Sequence, residues 1–388
     1  MIPGPNPGIF LLNLFVKQPD VIIIGGGLAG LTAAIHLASK KMKVRVYEKE
    51  TYPHHKVCGE YLSKEILPYL NSLGIDFKRS GPIEIDTLNY SDNAGKSLIS
   101  HLPLGGLGIS RFELDNVLYR FALDKGVEVC HDIITSVEFK NNGFLVKDSL
   151  EVVNSSFVLG AYGKRSLLDK KLNRDFIFRK SGWLAVKGHY TNDSYPLNTV
   201  SLHNFKGGYC GLSKTESGAV NVCYLTSYRS FKEYKNPEDF KNEVLSQNPH
   251  LLEFFRNSSP LFPKDLTIAQ ISFDKKRQVD GHVLMIGDAA GLIHPLCGNG
   301  MAMAIHSAKL ASESILENFN EGYFNRKNIE RRYIKTWKKN FSGRLRMGRA
   351  LQMILLNSRL TGISQKIITK FPYLLPAIIK RTHGNRLL

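Results

Sequence analysis

The stretch that most constrains the fold is a glycine-rich turn between a short strand and an apolar helix. Val21–Ile24 is rich in β-branched residues, which suits a strand buried on both faces. It leads into a G-x-G-x-x-G sequence at Gly25–Gly30, and the small apolar residues of Leu31–Ala38 then suit a helix packed on a sheet. A second strand is predicted over Val44–Tyr47, followed by Glu48. This order predicts a Rossmann-type α/β fold that binds a dinucleotide.

Each part of this segment has a physical task. Gly25 permits a tight turn, Gly27 lets the backbone approach a pyrophosphate, and Gly30 allows close contact between helix and strand. The N–H groups that begin the helix point at the phosphates. Glu48, 18 residues after Gly30, can accept hydrogen bonds from ribose hydroxyls. The expected dinucleotide contacts here are Gly25, Gly27, Leu28, Ala29, Gly30, Glu48 and Lys49.

A second segment near the other end of the chain has matching features. Val283–Ile286 suits a buried strand that breaks at Gly287-Asp288, and a proline–glycine loop then opens a helix of small residues over Met301–Ala308. The acid can hold ribityl hydroxyls, and the helix N-terminus can stabilise negative charge on a reduced flavin. The expected cofactor contacts here are Gly287, Asp288, Pro295, Gly298, Asn299, Gly300 and Met301.

Together these segments resemble the group A flavoprotein monooxygenases and the related geranylgeranyl reductases, which are FAD-dependent oxidoreductases. Lys56–Glu60 resembles the Cys-Gly loop that lies beside the isoalloxazine in the reductase branch. Ile109–Asp115 resembles the family's Arg-containing segment before an FAD-contacting helix. Gly207–Leu212 and Val220–Val222 resemble the reductases' sheet segment at the junction of substrate and flavin. The resemblance spans about residues 20–315, most of the chain.

The resemblance implies FAD as the cofactor, with NADPH or NADH as the expected electron donor. It adds Lys56, Cys58, Gly59 and Arg111 to the expected cofactor contacts, and it makes Cys58, Tyr209 and Cys210 the candidate catalytic residues. Cys58 and Cys297 are candidate redox partners, because both fall in loops predicted near the flavin, and a small packed side chain is the ordinary alternative for each of them. His294 is expected either to transfer protons or, as the ordinary alternative, to stabilise its loop through a hydrogen bond. Glu60 is expected either to orient the Cys58 loop or to cap a helix that begins near Ser63.

Two departures from the family pattern matter. The hydroxylase branch has an Asp-Gly motif that serves both FAD and the nicotinamide donor, and here Tyr162 stands in place of the acid within Gly160–Ser166. Reduction of the flavin by NADPH in the familiar way therefore does not follow. The only tryptophans, Trp183 and Trp337, are far apart, so the paired-tryptophan motif of the flavin halogenases is missing and halogenation is not expected.

Because the two cofactor segments lie about 260 residues apart, the FAD-binding domain must be assembled from separate pieces of chain. We predict an α/β fold in which a Rossmann-type FAD-binding domain, like those of glutathione reductase and para-hydroxybenzoate hydroxylase, carries an inserted antiparallel sheet and a helical tail. Short alternating runs between Gly and Asn turns predict that sheet, which would bind substrate. The predicted pieces are residues 19–77, 106–171 and 276–320 for FAD, 78–105 and 172–275 for the substrate sheet, and 321–388 for a basic helical region.

The chain carries a formal net charge of +18, and most of it falls at the C-terminal end. Residues 321–388 contain 16 Lys and Arg but only two acids, Glu321 and Glu330. Basic clusters alternate there with apolar runs, which predicts either peripheral contact with an anionic membrane or a helical lid with a solvated basic face. Nucleic-acid binding is not expected, because the rest of the chain is nearly balanced in charge.

Other features of the sequence argue against a disulfide-rich protein, a metal-binding protein and a membrane-spanning N-terminus. The five cysteines show no paired spacing and the histidines no metal-binding motif, so we expect no disulfide framework, no metal site and a reducing, cytoplasmic location, peripheral at the membrane if the tail docks there. Met1–Gln18 is expected to be a loose extension, since its apolar stretch is too short to span a membrane.

These features leave more than one function open. The first is an FAD-dependent oxidoreductase that acts on a hydrophobic small molecule by reducing a double bond of an isoprenoid-like substrate. The second is a monooxygenase that hydroxylates an aromatic or phenolic compound. A third, of another class, is a protein that binds FAD without catalysis, which the altered Asp-Gly motif favours.

Overall fold

The computed structural model describes residues 18–234, 236–320, 323–356, 358–371 and 373–388, so the predicted N-terminal extension lies outside the described residues except for Gln18. In chain order the strands are β1 (Val21–Ile24), β2 (Val44–Tyr47), β3 (Tyr61–Ser63), β4 (Ile83–Ser91), β5 (Ser97–Gly108), β6 (Glu128–Cys130), β7 (Ser136–Lys140), β8 (Gly143–Lys147), β9 (Val152–Ser155), β10 (Phe157–Gly160), β11 (Trp183–Thr191), β12 (Thr199–Phe205), β13 (Gly208–Lys214), β14 (Val220–Ser227), β15 (Ser259–Pro260), β16 (Leu266–Ala269), β17 (Val279–Asp280), β18 (Val283–Met285), β19 (Phe319–Asn320) and β20 (Tyr323–Phe324). The α-helices are α1 (Leu28–Ser39), α2 (Leu67–Ser72), α3 (Arg111–Asp124), α4 (Leu167–Lys171), α5 (Tyr228–Phe231), α6 (Pro237–Glu243), α7 (Pro249–Arg256), α8 (Gly300–Leu316), α9 (Arg326–Leu356), α10 (Ser358–Lys370) and α11 (Leu374–Thr382).

A six-stranded sheet with the order β17-β18-β10-β1-β2-β6 forms the dinucleotide-binding core. All its pairs are parallel except β17 with β18. Every residue of β1 is buried, as expected for a strand covered by helices on both faces. Helices α1 and α8 pack against each other, so the two segments identified in the sequence meet in one core.

The second sheet contains the predicted hairpin and the predicted inserted strands. Its strand order is β15-β11-β14-β13-β12-β4-β5-β3, with β16 also paired to β11. Strands β4 and β5 form the hairpin, and β11 to β14 pair in antiparallel fashion. The sheet is not wholly antiparallel as predicted, because β12 joins β4 in parallel register. That one pair joins the two inserted pieces, a relation that the pattern within each piece does not encode.

Helix α9 of the C-terminal region packs on the body through one buried stripe. Ile329, Tyr333, Trp337 and Phe341 are all buried, and their spacing of four residues places them on the same helical face. The Tyr333 hydroxyl donates a hydrogen bond to the carbonyl of Met285 at the end of β18. Helix α9 therefore covers the sheet edge near the second cofactor segment. In the described part of the chain, no helix combines the length and apolar character that crossing a membrane requires.

The predicted fold class is confirmed: a Rossmann-type sheet with a large inserted sheet and a helical C-terminal region. The remaining described strands form a small sheet of β7, β8 and β9 and the β19–β20 pair.

Candidate functional site

The glycine turn after β1 is packed too closely for side chains. A Cβ on Gly30 would lie 1.9 Å from the carbonyl oxygen of Gly25. Gly25 has φ of +106°, and a Cβ there would lie 2.4 Å from the carbonyl oxygen of Ala161. Gly27 precedes α1 without a side-chain cap. The N–H groups at the start of α1 are thus left to bind an anion, as in other dinucleotide-binding turns.

Glu48 lies at the end of β2 and holds the glycine turn. Its Oε2 accepts a hydrogen bond from the backbone N–H of Gly26 at 2.9 Å, and the residue is buried. The second carboxylate oxygen accepts a bond from the backbone N–H of Glu50 at 3.3 Å. Lys49, the adjacent predicted contact, has an exposed side chain that pairs with Glu50 instead.

Two cations converge on the start of α1. A Cβ on Gly27 would lie 3.6 Å from Arg111 Nη2 and 3.9 Å from Lys56 Nζ. Both cations pair with the buried Asp115, Arg111 through two hydrogen bonds of 2.7 Å and Lys56 at 3.0 Å. Burial alone would raise the pKa of Asp115, but Arg111 and Lys56 hold it below its usual value. One carboxylate therefore fixes two positive groups where a pyrophosphate would lie.

The first cofactor segment touches the second at Ala29 and Gly287. A Cβ on Gly287, whose φ is +60°, would lie 3.0 Å from the Cβ of Ala29. Gly287, Asp288 and Gly300 line one crevice at the start of α8. The structure thus brings the expected contacts of both segments together, although more than 250 residues of sequence separate them.

Two buried cations donate hydrogen bonds to the backbone carbonyls of the turn that contains Asp288. Lys276 donates to the carbonyls of Asp288 at 2.8 Å and Lys164 at 3.0 Å. Burial lowers the pKa of Lys276 to about 8. Arg174, 1% exposed, pairs with Asp169 and donates to the carbonyl of Ala289 at 2.9 Å. These contacts fix the backbone that follows β18.

The loop from Pro295 to Gly300 is anchored to the C-terminal end of the chain. Asn299 Nδ2 donates to Glu65 Oε2 at 3.1 Å, and Arg344 Nη1 donates to Glu65 Oε1 at 2.9 Å and to Asn299 Oδ1 at 3.3 Å. The backbone N–H of Gly384 also donates to Glu65. Both polar atoms of the Asn299 side chain, which precedes α8, are therefore bound to protein groups.

The Cys58 loop lies between the two sheets. The carbonyl of Cys58 accepts a hydrogen bond from Asn221 Nδ2 at 3.2 Å, and the carbonyl of Val57 accepts one from Lys164 Nζ at 3.3 Å. The half-buried Cys58 lies beside the Arg111 guanidinium and near the Cys223 thiol. Asn221 and Cys223 belong to β14, so the inserted sheet positions this loop.

Glu60, directly after that loop, is the centre of a buried ion-pair cluster. Its Oε1 accepts hydrogen bonds from Lys187 Nζ and from the backbone N–H of Arg111, the latter at 2.8 Å. Its Oε2 pairs with His189 Nε2 at 2.7 Å. Burial alone would raise the pKa of Glu60, but the His189 hydrogen bond and the Lys187 charge hold it below its usual value. Glu60 thus orients the Cys58 loop and meets the start of α3. The helix turn near Ser63 is capped by Ser63 itself.

This cluster has the ligand types of a metal site, which the sequence spacing does not reveal. Ligand atoms of His55, Glu60 and His189 lie within 4.8 Å of one another. Both Glu60 oxygens, however, are already bound to Lys187, the Arg111 amide and His189. A fully buried ammonium beside the carboxylate supplies the positive charge that a cation would otherwise bring. We therefore describe the group as an ion-pair cluster.

An apolar cluster lies between the inserted sheet and the second cofactor loop. Its buried members are Ala185, Tyr209, Leu225, Ile271, Phe273 and Leu292, and the half-buried Val57, Trp183, Leu202, Ile268 and Leu296 pack against them. We call this set the apolar cluster. Tyr209 therefore faces the cofactor loops. Cys210, the next residue on the strand, belongs to the hydrophobic core on the opposite face of the sheet, with Phe240 and Leu251.

His294 stands among the aromatic rings of this cluster. Its ring centroid lies 4.9 Å from that of Phe273, 5.8 Å from Tyr209 and 6.1 Å from Trp183. The expected loop-stabilising hydrogen bond is not made. Both ring nitrogens are buried, and neither has a hydrogen-bond partner among the described residues. The imidazole packs against aromatic rings, and no backbone group of the described loop forms a hydrogen bond with it.

Cys297, in the same loop, lies against α9. A Cβ on Gly348 of α9 would lie 3.3 Å from Cys297 Sγ and 3.5 Å from His294 Cβ. Burial raises the pKa of the Cys297 thiol to about 12, so it stays protonated at neutral pH. All five cysteines are free.

The residues present fit FAD. The glycine turn leaves no room for side chains, the start of α1 lacks a side-chain cap, and two fixed cations face it. Sequence reasoning missed the buried residues that support the site, namely Arg174, Lys187, His189, Lys276, Glu65 and Arg344. Only Lys187 could have been recognised from the sequence, because a single cation inside the apolar run of β11 indicates a buried charge that needs a partner.

Comparisons with known proteins agree with this geometry. The profile of the FAD binding domain family matches residues 18–322. A menaquinone reductase of Mycobacterium tuberculosis is 25% identical over 319 residues, covering 76% of this chain and 76% of that protein. A 1H-pyrrole-2-carbonyl-peptidyl-carrier-protein chlorinase of Pseudomonas fluorescens is 25% identical over 373 residues, covering 82% and 81%. Among solved structures, a flavin-dependent brominase superposes with a TM-score of 0.76 at 20% identity, covering 94% of this chain and 93% of that one.

Proposed function

The chain belongs to the FAD binding domain family and is an FAD-dependent oxidoreductase, and we propose that it reduces a double bond of a hydrophobic, isoprenoid-like molecule. The observation that carries the proposal is the apolar cluster. It lies where the inserted sheet, the Cys58 loop and the Leu292–Leu296 loop meet, and its members Val57, Trp183 and Leu296 are only half-buried. An apolar substrate gains free energy by leaving water for such a surface.

The protein's part in the reaction is to hold the cofactor and position the substrate. Gly27, Arg111 and Lys56 would bind the pyrophosphate, and Asp288 would hold the ribityl hydroxyls. Bound FAD supplies reversible two-electron chemistry, by which a hydride can pass to a carbon–carbon double bond. Saturation of that bond also needs a proton, which a residue of the apolar cluster or the Cys58 loop must donate.

Two residues are placed to donate that proton. Tyr209 lies in the apolar cluster, and burial raises the pKa of its hydroxyl well above the ordinary value, so it keeps its proton at neutral pH. Cys58 lies in the loop beside the Arg111 guanidinium. A donor must reach the carbon next to the one that accepts the hydride, and both side chains lie on the cofactor side of the inserted sheet.

One of the similar proteins supports the proposed reduction of a hydrophobic molecule. The menaquinone reductase of Mycobacterium tuberculosis is named for a hydrophobic substrate class, and this chain covers 76% of its length. The halogenating relatives show that the family also supports other flavin chemistry. Halogenation stays outside the proposal, because Trp183 lies in the inserted sheet and Trp337 lies on α9, where it packs against Phe341.

A second candidate is hydroxylation of an aromatic compound. The aromatic rings of Trp183, Tyr209 and Phe273 favour it, since they would pack well against a flat ring. In that case the apolar cluster would exclude water from the reacting oxygen species. The two candidates differ in whether oxygen or an unsaturated substrate takes electrons from the reduced enzyme.

We also propose that the enzyme meets its substrate at an anionic membrane surface. Ile363, Ile367 and Phe371 are exposed, and their spacing places them on one face of α10 and its end. Exposed cations occur at the end of α10, where Lys370 lies, and in the last turn of the following helix, where Lys380 and Arg381 lie. An exposed apolar stripe bordered by cations suits the interface of an anionic bilayer.

Anaerobic stopped-flow kinetics would test the reaction. The holoenzyme is reduced with NADPH, NADH or reduced ferredoxin and mixed with a polyprenyl substrate, and flavin reoxidation is followed by absorbance. Substrate-dependent reoxidation without oxygen, with a saturated product by mass spectrometry, is expected. If reoxidation needs oxygen and yields a hydroxylated aromatic product instead, the second candidate replaces the first.

A further inference from the structure

His294 is a buried polar side chain whose bonding capacity no described residue uses. It is 4% exposed, and both ring nitrogens lack a partner. Leaving a buried donor and acceptor unpaired is unfavourable, so a ligand that pairs one of them recovers part of that cost. Other buried histidines of the protein are bound, for example His203 to Ser91 and His36 to Tyr69, each at 2.8 Å.

The surroundings of His294 limit what such a ligand can be. The rings of Trp183, Tyr209 and Phe273 present flat apolar surfaces around it, which suit a flat ring rather than a bulky or charged group. Burial lowers the pKa of His294 to about 4, so the imidazole is neutral at physiological pH. A neutral imidazole offers one N–H donor and one acceptor nitrogen. It therefore pairs with a carbonyl or hydroxyl and gives no ion pair to a carboxylate.

From these contacts we propose that the substrate carries a flat oxygenated ring of the quinone class, and that His294 donates a hydrogen bond to an oxygen of that ring. This inference rests on the proposed reduction of a hydrophobic substrate and specifies its substrate. The ring packs against the three aromatic side chains, and any isoprenoid chain attached to it extends along the remainder of the apolar cluster.

Equilibrium binding to the oxidised holoenzyme tests the inference without turnover. Menadione and a methylnaphthalene, which share a ring system but differ in oxygen, are titrated while the flavin spectrum is followed. The wild type is expected to prefer menadione by roughly tenfold, the effect of about 1.4 kcal/mol from one hydrogen bond. His294→Phe is expected to abolish that preference while it retains affinity for the methylnaphthalene.

A matched control is His306→Phe, because His306 is also buried against an aromatic ring, Phe341, but lies outside the apolar cluster. It is expected to keep the menadione preference. Should His294→Phe fail to hold FAD, His294→Gln, which retains a donor, is expected to keep part of the preference. A wild type with no preference, or a preference that persists in His294→Phe, overturns the inference. The reoxidation experiment can still succeed in that case, so the two failures are distinguishable.

Discussion

Glu60 Oε2 and His189 Nε2 lie 2.7 Å apart, although 129 residues of sequence separate them. Through this contact the Cys58 loop of the FAD-binding region is tied to β11 of the inserted sheet. Lys187, two residues before His189 on the same strand, pairs with the other Glu60 oxygen. The relative position of cofactor loop and substrate sheet thus depends on one buried carboxylate.

Glu60→Gln is expected to destabilise the protein strongly. It leaves the fully buried Lys187 ammonium without its counter-charge, which typically costs about 3–5 kcal/mol. Urea unfolding would measure the free energy of unfolding. Glu60→Gln combined with Lys187→Met removes both charges and should recover much of the loss. A single variant as stable as the wild type would contradict the assigned ion pair.

Arg111→Met is expected to weaken FAD binding by about ten- to a hundredfold, the range for losing a charge-assisted contact worth 1.5–3 kcal/mol. The reason is the position of its guanidinium at Gly27, where the pyrophosphate would bind. Titration of apoprotein with FAD, followed by flavin fluorescence, gives the affinity. Arg120→Met serves as the control, since Arg120 is an exposed residue of the same helix. Equal losses of FAD affinity in both variants would mean that the total positive charge of the protein, and not the position of Arg111, determines binding.

Arg344→Leu is expected to destabilise the protein and loosen the second cofactor loop. It removes the cation that pairs with buried Glu65 and holds Asn299. Arg332→Leu on the same helix is the comparison, because Arg332 pairs with Glu317 at the surface. Surface pairs contribute about 0–1 kcal/mol, whereas breaking a buried pair costs about 3–5 kcal/mol. Thermal unfolding of both holoenzymes should separate them, and similar melting temperatures would refute a structural role for Arg344.

Stability is expected to fall as the pH drops below about 6.5. Burial lowers the pKa of His36 and His294 to about 4 and of His203 and His306 to about 3. The unfolded chain then binds protons that the folded protein does not, so each histidine contributes up to about 1.4 kcal/mol of loss per pH unit until its folded-state pKa is reached. Urea midpoints measured between pH 7 and pH 5 would show the slope.

His306→Phe should lower the pH dependence of the unfolding free energy by about one proton, because it removes one of the buried histidines whose pKa is lowered. An unfolding free energy that stays constant through this pH range would show that these histidines titrate alike in both states.

Ile363→Ser with Ile367→Ser is expected to weaken binding to anionic vesicles severalfold, because the changes remove two apolar side chains from the exposed face of α10 without adding charge. Flotation with vesicles of phosphatidylserine and phosphatidylcholine measures binding. Ile133→Ser is the control, since Ile133 is exposed at 57%, against 55% for Ile363 and 46% for Ile367, but lies far along the chain from the tail. If the control variant loses as much binding, or the wild type does not float, the membrane proposal fails.

The part of the fold that the sequence predicts best is the part that local pattern encodes. Strand β1, the glycine turn and α1 follow directly from neighbouring residues, and so does the hairpin of β4 and β5. The meeting of Ala29 with Gly287 was also predictable, because one cofactor must touch both segments.

The supporting contacts could not be predicted in the same way. Arg344 reaches Glu65 across 279 residues, and neither residue lies in a motif. The environment of His294 depends on rings contributed by β11, β13 and the segment before β17. Periodicity within one segment carries no information on which distant side chains surround it.

The order of strands in the six-stranded sheet has a consequence for biosynthesis. Strand β1 emerges from the ribosome early, yet its neighbour β10 pairs with β18, which is synthesised about 260 residues after β1. The complete cofactor site therefore exists only once nearly the whole polypeptide has been translated. Such a high contact order predicts slow folding and late capture of FAD. A nascent chain that stalls before β18 would expose an unpaired, apolar strand edge and be prone to aggregate.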